Sequence, residues 1–449
     1  MGKCLSNCIE VDYLITGDYV VTMEPKVEPI VNGAIAVSGG KITEVGTLEA
    51  LSGKYKPGKV LGGKGRAVIP GLINTHTHAA MVYFRGLADD LPLKEWLEGY
   101  IWPAEGKWLS DEFVADAITL ACLEMMLNGI TMYNDMYFFK ESIARTTRDM
   151  GMRVVLGAGI LDFPTASAQN ADEYLSKAEI FIKDWLSSDS LITPAVSPHA
   201  PYTCSPETLL KAKRLSERYD VLLHTHLAET RHEVDDIMKL YGKPPVEHLS
   251  ALGVLDNTVV AAHCVWVSDK ETDILSEAGV SVSHCVESNL KLASGIAPVV
   301  PMLKKGVNVT FGTDGAASNN DLDIFTEMSI AARLHKAVNN DPTVLTAKDA
   351  LTMATISGAK ALGKSETLGS IKAGKLADLV ILNLDKPHLT PFYDIYSLIV
   401  YSMRASDVDS VMINGKLTVE NKVCLMKDEQ EIIEKARWWK DRIAVETKS

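Results

Sequence analysis

The chain has 449 residues, 47% hydrophobic and 23% charged, the make-up of an ordinary folded protein rather than a disordered one. Its net charge of −13 repels a nucleic-acid backbone and an anionic membrane surface, so neither is expected as a partner. At roughly 150 residues per unit the length suggests about three units, but barrel folds commonly exceed that size as one. Acids at Glu10 and Asp12, with no long apolar run at the start, argue against a signal peptide. No stretch approaches the roughly 20 apolar residues that span a bilayer. Cys4, Cys8, Cys122, Cys204, Cys264, Cys285 and Cys424 are odd in number and scattered, which fits a reducing cytoplasm better than a disulfide framework.

From Tyr13 to about Arg66 the runs are short and alternating, with glycines between them, which predicts a small antiparallel sheet. Similar runs return at Ala377 to Leu382 and Val408 to Lys416. Two strand-rich ends around a long middle predict one β-sandwich built from residues 1–68 and 371–449, the second part also carrying a terminal helix.

Between residues 69 and 370 strands alternate with helices, the signature of a parallel sheet. Eight strand candidates can be counted: Val68 to Asn74, Gly129 to Asp135, Arg153 to Gly159, Leu191 to Ser197, Val221 to His226, Val259 to His263, Val280 to His284 and Val307 to Asp314. Helix starts are marked by Ser110 before Asp111 and Glu112, by Ser205 before Pro206, and by Ser268 with Glu271 as a capping box. Gly129 and Gly279 stand where helices should stop. This order predicts an α/β fold, a (β/α)8 TIM-like barrel, with its active site at the C-terminal strand ends.

That rule gathers residues far apart in the chain. Seven of the eleven histidines fall at strand ends. His76 and His78 are two apart on the first strand and share a face. His199, His226, His263, His284 and Asp314 close strands four to eight. Three imidazoles and a carboxylate suit a catalytic divalent ion, with His76, His78, His226 and Asp314 as the expected ligands. His224 reads as a packed lumen residue one layer below His226. His284 is left between a supporting and a structural role, and His232 and His335 read as helix surface. A metal activates water, but the reaction also needs a proton donor, and Glu229, three residues past His226, fits that place.

The blocks PGLINTHTHAAMVYFRGLADDLPLKEWLEGYIWPAE, SPHAPYTC, HTHLAET, AAHCVW, SNLKLASGIAPV and FGTDGAASNNDLDIFTEM resemble the amidohydrolase superfamily, and within it the 5'-methylthioadenosine/S-adenosylhomocysteine deaminase family. The resemblance runs in order from about residue 10 to residue 420. It implies one divalent metal per subunit, Zn²⁺ first with Fe²⁺ or Mn²⁺ as substitutes, on His76, His78, His226 and Asp314. No lysine ends strand four, where two-metal relatives carry a bridging one. The resemblance further implies that Glu229 protonates the ring nitrogen beside the attacked carbon. His263 would orient the hydroxide, and Asp314 would move the water proton towards leaving ammonia. His199 would contact substrate, and Glu105 would bind ribose hydroxyls. The partner it implies is a small-molecule nucleoside, with a homo-oligomer expected.

The sequence departs from the family where members that accept S-adenosylhomocysteine place arginines near the end of strand three. Leu156 to Asn170 contains no basic residue. Neutral 5' groups are therefore expected, as in 5'-methylthioadenosine, adenosine or 5'-deoxyadenosine. Val286 also replaces a common proline, which affects loop shape more than chemistry. The alternatives are a deaminase or hydrolase of guanine-like, pterin or triazine rings on the same fold, and a barrel that has lost catalysis; the full ligand set with Glu229 argues against the second.

Overall fold

The computed structural model describes residues 8–446. Its N-terminal strands β1 (Ile9–Val20), β2 (Ile30–Ser38), β3 (Lys41–Thr47) and β4 (Tyr55–Pro70) are followed by eight barrel strands. These are β5 (Leu72–Thr77), β6 (Ile130–Tyr137), β7 (Arg153–Ile160), β8 (Ile192–Pro198), β9 (Leu223–Leu227), β10 (Val259–His263), β11 (Ser281–His284) and β12 (Asn308–Phe311). The chain returns with β13 (Leu379–Asn383), β14 (Val408–Ile413), β15 (Lys416–Glu420) and β16 (Val423–Cys424), then helix Glu429–Glu446.

Strands β5 to β12 form one parallel sheet in sequence order. The last strand is tied back to the first: Asp314 N donates to His76 O at 3.0 Å, and Asn74 Nδ2 donates to Thr313 Oγ1 at 2.7 Å. Gly312 permits this approach, because a Cβ there would stand 2.8 Å from the Cβ of His76. The expected barrel is therefore present. Its helix caps are also where the spacing put them: Ser110, Ser205 and Ser268 accept backbone N–H bonds at N3, and Ser268 with Glu271 completes a capping box. Gly279 ends its helix at φ 74°.

The terminal strands form a second eight-stranded sheet in the order β16-β15-β14-β13-β4-β1-β2-β3. It folds over so that Ile15, Ile35 and Ile42 from one end share a core with Val68, Leu379, Ile381 and Met412 from the other. The β2–β3 and β14–β15 turns touch, and a Cβ on Gly415 would run into Gly40. One boundary differs from expectation. Val68 to Pro70 does not open the barrel but pairs with β13, Val68 opposite Ile381, and the barrel begins after Gly71. The apolar run is continuous across that point, so composition could not show which sheet each half joins.

A buried ion pair fastens the two sheets together. Arg153 on β7 donates to both Asp378 carboxylate oxygens at 2.8 and 3.2 Å and to Asn414 Oδ1 at 2.8 Å, with both charged side chains almost inaccessible. Breaking such a pair from one side leaves a buried charge alone, at a cost of about 3 to 5 kcal/mol. Arg153→Met is accordingly expected to lower the thermal unfolding midpoint by several degrees, and an unchanged midpoint by calorimetry would show the pair to be inert.

Cys122, Cys204, Cys264, Cys285 and Cys424 are free and buried. Cys8 is disulfide-bonded, and Cys4 lies outside the described residues. Among the described residues no helix is long and apolar enough to cross a membrane.

Candidate active site

All the histidines expected at the strand ends, except His284, meet at one mouth of the barrel. Nε2 of His78 lies 3.1 Å from Nε2 of His226, and Asp314 Oδ1 lies 3.4 Å from Nε2 of both His76 and His78. The coordinating atoms of His76, His78 and His226 all fall within 4.8 Å of one another. His263 Nε2 stands 3.9 Å from Glu229 Oε2. The backbone helps to aim these groups: Asp314 and His263 adopt φ of 61° and 70°, a left-handed conformation that costs about 1 to 3 kcal/mol per residue and is typical of functional turns.

His78 Nδ1 donates to Met136 O at 2.7 Å and His226 Nδ1 donates to His199 O at 2.7 Å, because a carbonyl only accepts. Burial holds both rings below the ordinary imidazole pKa, His226 far below it, so each is neutral and carries its one proton on Nδ1. Both Nε2 atoms are therefore bare lone pairs, facing each other at 3.1 Å. His76 Nε2 is fully buried with no hydrogen-bond partner, and burial brings that ring down to about 4. Neutral lone pairs converging beside a carboxylate repel unless a cation lies between them, and the donor set fits a divalent ion of the zinc type.

The carboxylates are differently tuned. Burial works against ionising Asp314, but His76, His263 and His78 outweigh it and hold the carboxyl well below its usual range. Ser288 and Ser318 hydroxyls donate to its Oδ2 at 2.7 and 2.8 Å, and Gly315 N to its Oδ1 at 2.8 Å. Glu229, by contrast, is raised by burial. Burial also opposes charge on His263, yet Glu229 and Asp314 raise it, while its Nδ1 is held 2.9 Å from Asn289 Oδ1.

A cavity of about 350 Å³ runs from His78 and His199 to Glu105, walled by Trp102, Tyr137 and Phe163. Glu105 accepts from Tyr137 OH at 2.6 Å, and burial pushes its carboxyl up to about 7. It sits in helix Trp102–Trp108, just after a π turn at Leu97–Ile101. Pro103 has no N–H to return to the carbonyl of Gly99, and the helix widens before it. A second cavity, about 950 Å³, joins at Leu97, Trp102 and Phe163 and reaches Glu229.

Several residues at the site carry no clear mark in the sequence. Tyr137, Asn289, Ser288 and Ser318 are ordinary polar residues until the fold brings them to Glu105, His263 and Asp314. Glu233 did leave a signal, a Thr230-x-x-Glu capping pattern, but its carboxylate reaches further and accepts from the backbone N–H groups of Ala228 and Glu229 at 2.9 and 2.8 Å. His335 corrects the surface reading: it is 1% exposed, on the same helix face as Phe325, Met328 and Ala332, and its Nε2 lies 3.1 Å from Nε2 of His284. That contact gives His284 a structural partner. His232 is exposed as expected.

The sequence model of the amidohydrolase family matches residues 67–418. A protein of Thermodesulfovibrio yellowstonii called 5-methylthioadenosine/S-adenosylhomocysteine deaminase is 54% identical over 433 residues, 96% of this chain and 98% of that one. A Methanosarcina acetivorans protein called 5'-deoxyadenosine deaminase is 46% identical over 427 residues, 95% of this chain and 97% of that one. Among solved structures, an adenosine deaminase from Xanthomonas campestris with bound zinc superposes with a TM-score of 0.95 at 40% identity, covering 98% of this chain and 100% of the other. With a family match across most of its length and relatives this similar end to end, the chain belongs to the amidohydrolase family.

Proposed function

We propose that this protein is a metal-dependent hydrolytic deaminase of adenosine-type nucleosides, exchanging the 6-amino group of the purine for oxygen from water and releasing ammonia. The observation that carries it is the pair of bare Nε2 lone pairs, on His78 and His226, 3.1 Å apart beside Asp314, with Glu229 at the same mouth. His76, His78, His226 and Asp314 would hold the ion. Zinc is the first choice, supported by the zinc-bound relative at 40% identity. A divalent cation at that place supplies the positive charge that brings the pKa of a water towards neutrality.

The chain's own residues do the rest. Purine C6 is a poor electrophile until N1 is protonated, and Glu229, kept protonated to higher pH by burial, delivers that proton. His263, held by Asn289, orients the attacking water through Nε2. The ionised Asp314 carboxylate takes one proton from that water and passes it to the amine, the C6–N bond breaks to release ammonia, and the proton lost from the C6 hydroxyl as the carbonyl forms returns to Glu229, whose own proton stays on N1. His199 lines the sugar side of the cavity, and Glu105 accepts from the two ribose hydroxyls. Relatives at 54% and 46% identity are named for adenosine-type substrates, which does not favour the guanine, pterin or triazine alternatives.

A 5' group in this cavity would find no unpaired lysine or arginine. Among the described residues the cavity that holds Glu105 has no Lys or Arg in its wall. The basic residues of the neighbouring cavity already face carboxylates, Lys291 with Asp89 at 2.6 Å, Arg231 with Asp235 at 3.2 Å, His232 with Asp236 at 3.2 Å and Lys94 with Glu98 at 4.0 Å. A free carboxylate at the 5' end would therefore be desolvated without a guanidinium partner. Comparing kcat/KM by loss of adenine absorbance, 5'-methylthioadenosine, 5'-deoxyadenosine and adenosine are expected to exceed S-adenosylhomocysteine at least about tenfold. Equal efficiency would refute the neutral-group preference, and no turnover of any nucleoside would refute the function.

A further inference from the structure

His76 and His224 meet nitrogen to nitrogen in the floor of the barrel mouth. Nδ1 of His76 lies 2.9 Å from Nε2 of His224, with the rings at 81° and both side chains inaccessible. The far nitrogen of each ring, His76 Nε2 and His224 Nδ1, is buried with no hydrogen-bond partner. Two ring nitrogens at 2.9 Å need one donor and one lone pair between them, so a single proton occupies the contact and two arrangements exist. In one, His224 Nε2–H donates to His76 Nδ1. The proton of His76 then sits on Nε2, pointing towards Asp314 Oδ1 at 3.4 Å, and no lone pair is left for a cation. In the other, His76 Nδ1–H donates to His224 Nε2. His76 Nε2 then offers its lone pair, and the proton of His224 sits on Nδ1, where it has no acceptor.

His76 differs here from its two neighbours. His78 and His226 face the carbonyls of Met136 and His199, which only accept, so their tautomers are set in advance. His76 alone faces a group that can donate or accept. We propose that His224 is a positioning residue that selects the tautomer of His76 and thereby sets the affinity of the centre for its ion. This rests on the reading that His76, His78, His226 and Asp314 hold a divalent cation. An acceptor at the position of His224 Nε2 is what the bound state requires, and imidazole meets that requirement at the expense of one buried N–H.

The test is zinc affinity, measured on the full chain by competition with a chromophoric chelator, with unfolding midpoints of the metal-free proteins as a control on folding. His224→Leu removes the acceptor and is expected to weaken zinc binding by about 10- to 100-fold, as loss of such an outer partner typically does. His224→Gln, whose Oε1 falls near the place of Nε2, is expected to stay within about threefold of wild type. Wild-type affinity in His224→Leu overturns the proposal, as does an equal loss in both variants, which would mean that ring volume and not the hydrogen bond matters. Should the leucine variant fail to fold, the glutamine variant decides alone: near-wild-type affinity supports the proposal and a loss of about tenfold or more overturns it. If the wild-type protein itself takes up no zinc, the metal reading falls first and this inference with it.

Discussion

Glu229→Gln is expected to lower kcat by about 10²- to 10⁴-fold while leaving one zinc per chain and the binding of substrate largely intact. The amide keeps the shape and one hydrogen-bond donor but has no proton to give to purine N1. Glu229 is 6% exposed, and its backbone N–H is pinned by Glu233 at 2.8 Å, so the substitution has little room to rearrange the loop. The direction of the pH effect follows from burial. The pKa of Glu229 is raised, the protonated form is the useful one, and kcat should fall as pH rises through that pKa. The glutamine variant should lose this alkaline limb along with the rate. Ammonia release followed across pH, with metal analysis of the same samples, checks both. A variant with wild-type turnover would move the proton donor elsewhere, and one that had lost its zinc would make Glu229 part of the metal site.

Stripping the ion with a chelator is expected to abolish activity and to lower the unfolding midpoint, and adding zinc should restore both. The two effects have one cause. Without a cation the Nε2 lone pairs of His78 and His226 are left 3.1 Å apart, and the buried Nε2 of His76 has nothing to bond. With free ion at about 1,000 times its dissociation constant, binding adds about 4 kcal/mol to the folded state, all of which is lost on removal. Calorimetry with and without zinc reads the stability, and the adenine absorbance change reads the activity. Undiminished turnover by protein shown to be metal-free would end the metal-dependent mechanism, and a midpoint that ignores zinc would show that the ion binds elsewhere.

Much of this site could be read from residue types alone. The proposed metal ligands are imidazoles and a carboxylate, and His76, His78, His226 and Asp314 stand at the ends of β-branched runs, where a parallel barrel gathers chemistry. The serine caps were equally plain, because capping depends only on near neighbours in the chain. What sequence reasoning could not reach depends on depth and partner. His224 looked like lumen filler, since spacing reveals the face of a strand but not which ring of another strand lies across from it. His335 was misread because a histidine on a helix is ambiguous, although Phe325, Met328 and Ala332 marked the buried face. The Tyr137 to Glu105 bond joins a strand to an irregular helix 32 residues away, and no periodicity announces it. The passage of Val68 to Pro70 into the other sheet is invisible for the same reason: its partner, Ile381, lies some three hundred residues onward.

That last pairing also sets an order of events during synthesis. β4 leaves the ribosome with one flank matched to β1, but the strand for its other flank starts at Leu379. At about 5 to 20 residues per second, the exposed flank waits roughly 15 to 60 s for its mate. An open strand edge of this kind recruits other chains, so nascent or truncated polypeptides ending before β13 carry the greatest risk of aggregation, and the finished protein loses that hazard only when its last seventy residues arrive.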